Sequence, residues 1–113
     1  VYESLEAAKI LDGLGISSKV VNMHTLKPCD YDAIDQAIAS SKAIISVEEH
    51  SVVGGLGSAI AEYKTQFSKS PAQLILGLPD KFGKTAEYRF LLEKYRLVGE
   101  KIAVDIENFL KKI

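Results

Sequence analysis

The chain has 113 residues, 47% of them hydrophobic and 26% charged, a balance that suits a folded core and excludes disorder as the main state. Its 14 Lys and Arg against 15 Asp and Glu leave a net charge of -1, which excludes the basic footprint of a nucleic-acid binder and the polybasic anchor of a membrane-surface protein. No apolar run reaches the length of a membrane span, and the single cysteine, Cys29, excludes an internal disulfide and suits a reducing cytoplasm.

Leu5, Ala8 and Leu11, with Ala7, Ile10 and Leu14 on a neighbouring track, predict a first helix over residues 3–12, stopped by Gly13 and Gly15. "KVVNM" at residues 19–23 is β-rich and predicts a short strand. Asp30 then offers an N-cap to a second helix carrying Tyr31, Ile34, Ala37 and Ile38. "AIISV" at residues 43–47 is apolar without alternation, the pattern of a strand covered on both faces in a parallel sheet. Past a glycine-rich turn, Leu56, Ala59, Ile60, Tyr63 and Phe67 share one helical face. "AQLILGLP" gives a third strand, ended at Pro79. After the polar "DKFGK", Thr85 can cap a helix with Tyr88, Leu91, Leu92 and Tyr95, and a final helix carries Ile102, Ile106, Phe109 and Leu110. The alternation predicts an α/β protein, a three-layer α/β/α arrangement on a mostly parallel sheet, formed as one domain by residues 1–113. Because the chain opens on a helix with no strand before it, a strand is expected to be missing upstream and the chain to be the later part of a longer protein or subunit.

The chemistry-bearing residues concentrate in "SVEEHSVVGGLGSAIAEY", residues 46–63. A strand running through a glycine turn into a helix leaves the first helical N–H groups aimed at one spot, an inherent place for a phosphate or carboxylate. Gly54, Gly55 and Gly57 match neither the dinucleotide fingerprint nor a P-loop, and they equally suit positive φ angles and a helix packed close to the sheet. Adjacent strand residues point to opposite faces, so Glu48 and Glu49 do not form one carboxylate pair. Glu49 and His50 could form an acid/base site, but no nucleophile or metal completes it; a hydrogen-bonded turn or an interface is the other reading. His24 and Thr25 follow the first strand, Cys29 precedes a helix N-terminus, and Lys81 and Lys84 flank Gly83; each has an ordinary structural or solvated role beside any functional one. The three cysteine and histidine residues have no zinc-site spacing.

"VVNMHTLKPCD", "IISVEEHSVVGGLGSAIAE" and "LGLPDKFGKTAEYRFLLEKYRL", in this order and over nearly the whole chain, resemble the C-terminal domain of transketolase, or its separate C-terminal subunit where the enzyme is split. More distantly they resemble the C-terminal domains of 1-deoxyxylulose-5-phosphate synthase and of the 2-oxoacid dehydrogenase E1 β subunit. "EEHS" before "GGLG" is nearest the transketolase form. The resemblance implies transfer of a two-carbon ketol unit between sugar phosphates with thiamine diphosphate and Mg2+ (or Ca2+), in a cytoplasmic, homodimeric enzyme of the pentose phosphate pathway. It places that cofactor between pyrimidine-binding and diphosphate-binding domains or subunits, and gives this domain no catalytic, cofactor or metal residue. Glu49, His50, Ser51, Gly54, Gly55 and Gly57 would then face a neighbouring domain or a small anion. Two residues depart from the family pattern: Ala86 and Arg96 stand where glycine is usual, and at Arg96 this removes a convenient left-handed helix cap. The rival reading is a small α/β module that binds an anion or nucleotide without chemistry.

Overall fold

The computed structural model describes residues 2–22, 31–51, 55–78 and 92–113. These form α1 (Tyr2–Gly13), α2 (Tyr31–Ser40), β1 (Ala43–Ser51), α3 (Leu56–Lys64), β2 (Ala72–Leu78) and α4 (Gly99–Lys112). They gather into two compact units, one containing α2, β1, α3 and β2, the other α1 and α4.

In the first unit β1 and β2 pair in parallel, from Ala43 opposite Ala72 to Glu48 opposite Gly77. Parallel neighbours need a crossover, and α3 supplies it. Ile34 of α2, Ile44 of β1 and Ile60 of α3 form the buried centre, joined by Ala37, Ile38, Leu56 and Tyr63. Strand alternation puts Ile44, Ser46 and Glu48 on one face of β1 and Ala43, Ile45 and Val47 on the other, so apolar residues stand on both faces. The register breaks after Glu48: the next pair is Ser51 opposite Leu78, so Glu49 and His50 have no counterpart on β2 and form a bulge.

In the second unit α1 buries Ala7 and Leu11, and α4 buries Gly99, Ile102 and Ala103. The helices meet so closely at Gly99 that a Cβ there would lie 2.7 Å from Glu6 Cβ and 3.1 Å from the Glu3 carbonyl oxygen. α1 ends as expected, with Gly15 at φ 80°. The Ile16 N–H donates to the Leu11 carbonyl (2.9 Å) and the Gly15 N–H to that of Asp12 (3.0 Å), the paired bonds of a Schellman cap. Residues 92–94 end the same way, but with Arg96 in the left-handed position at φ 63°. There the Leu97 N–H reaches the Leu92 carbonyl (2.7 Å) and the Arg96 N–H that of Glu93 (3.2 Å).

Two expectations change. Residues 19–22, the described part of the predicted first strand, form no strand, and Val21 is 47% exposed. β-propensity needs a ladder partner to become a strand, and among the described residues β1 and β2 pair only with each other. On α1 the buried stripe takes one residue from each predicted track, Ala7 and Leu11, while Leu5, Ile10 and Leu14 stay exposed. The caps at Asp30 and Thr85, and most of the helix expected after Thr85, lie outside the described residues.

Candidate functional site: the strand end and turn leading into α3

α3 starts without a capping side chain of its own. Its N-cap is Gly55, extended at φ -89° and ψ -159°, which makes no side-chain hydrogen bond. Glu48 fills that role from β1: the Leu56 N–H donates to Glu48 Oε1 (2.5 Å) and the Gly57 N–H donates to Oε2 (3.1 Å). A carboxylate bridging the first two amides satisfies donors that would otherwise lack intrahelical partners and sits at the positive end of the helix dipole. It reaches them because Glu48 shares the helix-facing side of β1 with Ile44 and Ser46, and because a crossover helix begins near the carboxyl end of its strand.

Gly57 lets that helix start lie on the sheet. A Cβ at this position would be 2.7 Å from Ser46 Oγ and 2.8 and 2.9 Å from two Ile75 side-chain carbons, closer than real Cβ contacts. The Gly57 carbonyl accepts from Gln73 Nε2 (2.9 Å), and Gln73 Oε1 accepts from Lys64 Nζ at 3.5 Å. Burial pushes the Lys64 ammonium pKa down. Beneath the turn, Ser46 is 2% exposed and its hydroxyl has no hydrogen-bond partner among the described residues.

Of the residues singled out in the sequence, Gly55 and Gly57 come together in the first turn of α3, neither with a positive φ. Glu49, His50 and Ser51 occupy the end of β1 at the register break. Their side chains, together with Gly54, His24, Thr25, Cys29, Lys81, Gly83 and Lys84, lie outside what the structure describes. The residue that sequence reasoning missed is Glu48. Its signal was present: a glutamate ends a buried strand, and the following helix lacks Ser, Thr, Asp or Asn at its N-cap. The same device recurs in the other unit, where the Gly99 N–H at the start of α4 donates to Glu3 Oε1 (2.8 Å).

Chemically, the turn holds its own carboxylate. A phosphate or diphosphate at the Leu56 and Gly57 amides would have to displace Glu48 and face its charge, so the described residues do not fit a diphosphate there. Among the described residues no group of three His, Cys, Asp or Glu is placed to hold a metal ion.

The family model for the transketolase C-terminal domain matches residues 1–102. A Methanocaldococcus jannaschii protein described as a transketolase C-terminal section is 39% identical over 112 residues, which span 99% of this chain and 34% of that protein. A 1-deoxy-D-xylulose-5-phosphate synthase of Dictyoglomus thermophilum is 39% identical over 113 residues, 100% of this chain and 18% of the synthase. A solved structure, titled as a split gene transketolase in an inactive beta4 tetramer, superposes with a TM-score of 0.82 at 37% identity, covering 95% of this chain and 35% of that one. The chain therefore has their α/β fold, and it spans about a third or less of the length of these relatives.

Proposed function

The chain belongs to the transketolase C-terminal domain family, and from that membership we propose that residues 1–113 form the C-terminal domain of a thiamine-diphosphate-dependent transketolase. The parent enzyme transfers a two-carbon ketol unit between sugar phosphates in the cytoplasm, within the pentose phosphate pathway, as a homodimer. Thiamine diphosphate, with Mg2+ or Ca2+, supplies the carbanion chemistry from a site formed by the pyrimidine-binding and diphosphate-binding domains or subunits. This domain serves assembly: the rim carrying Glu49, His50, Ser51, Gly54, Gly55 and Gly57 faces a neighbouring domain. The observation that carries the assembly reading is Glu48, whose carboxylate already occupies the amides that a phosphate group would need. A second reading keeps the family and changes the reaction to that of 1-deoxyxylulose-5-phosphate synthase, since the Dictyoglomus enzyme and the transketolase section are both 39% identical to the chain.

The test combines the chain with subunits that carry the two cofactor-binding domains. Calorimetry should give tight thiamine diphosphate binding, with magnesium, to the assembly and none to the chain alone; tight binding by the chain alone overturns the proposal. Ketol transfer between sugar phosphates supports the first reading, and formation of 1-deoxyxylulose 5-phosphate the second. Micromolar binding of a nucleotide by the chain alone, abolished by Gly57→Val without unfolding, would make it a binding module instead.

A further inference from the structure

Three aromatic rings converge where the start of α2 meets the end of α3. Tyr31 and Tyr63 lie with ring centroids 4.7 Å apart, tilted by 36°, and Phe67 packs edge-on against Tyr63 at 5.5 Å. The middle ring is held at both ends: its body packs on the Ile34, Ile44 and Ile60 centre, and its hydroxyl donates to Asp35 Oδ1 at 2.6 Å. The outer rings face solvent, Tyr31 at 51% and Phe67 at 39% exposure. Tyr63 belongs to the packing around the buried centre, whereas Tyr31 and Phe67 lie outside that cluster.

Among the described residues, the side chains that act on the Tyr63 hydroxyl are acids. The Tyr63 hydroxyl has its pKa raised, first by the hydrogen bond to Asp35 and then by burial and by the charges of Asp35, Tyr31 and Asp32, all acids. Lys64, the next residue, turns to Gln73 on β2. The faces of aromatic rings attract cations, and a guanidinium can stack on a ring while its edge meets a carboxylate, which an ammonium does less well. A ring fixed beforehand loses little freedom on binding, and tyrosine-rich centres dominate many protein contacts.

We propose that Tyr31, Tyr63 and Phe67, with Asp32 and Asp35, form a docking site for an arginine on the protein partner with which this domain assembles. The inference rests on the assembly reading above and names the surface and the chemistry of its partner.

Two experiments test it. In an NMR titration of the chain with acetyl-diarginine amide, the ring signals of Tyr31, Tyr63 and Phe67 should move. They should stay put with acetyl-diglutamate amide, and Asp35→Asn should reduce the arginine response. In the assembled enzyme, Tyr31→Ala and Phe67→Ala should each weaken subunit affinity about tenfold. Both positions are exposed, so the melting temperature of the free chain should change little. Rings that ignore the arginine peptide, or folded variants that assemble as tightly as the parent, overturn the proposal. A homodimer of the chain that dissociates on Phe67→Ala assigns the patch to a second copy and also overturns it. If the parent chain recruits no partner at all, the assembly reading fails, and the peptide titration alone still decides whether this patch selects arginine.

Discussion

Replacing Glu48 by Ala strips two amides at the start of α3 of their acceptor, and the expected loss is about 1–3 kcal/mol in urea unfolding, with Glu48→Gln losing less because one oxygen still accepts. Gly57→Ala should cost a similar amount, about 1–3 kcal/mol, because the new methyl meets the buried Ser46 Oγ and two Ile75 side-chain carbons together. Ser46→Ala, in contrast, removes a buried hydroxyl that has no partner among the described residues, so stability should hold or rise; a clear loss would show that the hydroxyl is satisfied in solution. Tyr63 gives a pH prediction. Its pKa is raised above 10.0 in the folded chain, chiefly by donating to Asp35, so its stabilising contribution is complete below the unfolded value and is lost as pH climbs through the folded one. The midpoint of the phenolate absorbance, parent minus Tyr63→Phe, should therefore lie above 10.0; a midpoint at or below that value contradicts the hydrogen bond. At this scale the sequence exposed residue types well and partners poorly. Glu49 and His50 drew attention as neighbours in sequence, while Glu48 gained its role from amides on another element.

The elements follow local rules at their ends. Gly15 closes α1 in the left-handed conformation, and Arg96 adopts the same conformation without a glycine's freedom, clamped by Nε at 3.0 Å from both carboxylate oxygens of Asp105. A non-glycine residue there costs about 1 kcal/mol, while a part-exposed ion pair returns roughly 0.2–1 kcal/mol. Arg96→Gly should thus raise stability slightly in the parent and by about 1 kcal/mol when Asp105→Asn has already removed the pair; chemical denaturation of the four proteins in this cycle reads the difference. The sequence disclosed this strain, because an arginine stands where a helix end calls for glycine. Helix positions were also legible, since the 3.6-residue period is local. The stripe chosen on α1 was not, because Ala7 sits at the close crossing with Gly99, a glycine far along the chain. Nor was the loss of the strand at residues 19–22, which depended on a ladder partner.

For the whole molecule, a chain spanning about a third of its transketolase relatives is expected to gain cofactor-linked stability only in company. Thiamine diphosphate with magnesium should leave the melting temperature of the chain alone unchanged and raise that of the assembly, since a ligand stabilises only the state that binds it. By itself the sequence determined the α/β class, the crossover order of β1, α3 and β2, and the family, because these rest on periodicity and on motifs carried in contiguous stretches. Tertiary structure decided what the central turn does. Whether its amides were open to an anion or closed by Glu48 depended on a side chain crossing from strand to helix, and whether Gly57 was needed for φ or for space depended on Ser46 and Ile75 beneath it. Distances between elements set both answers, and a linear pattern carries no such distances.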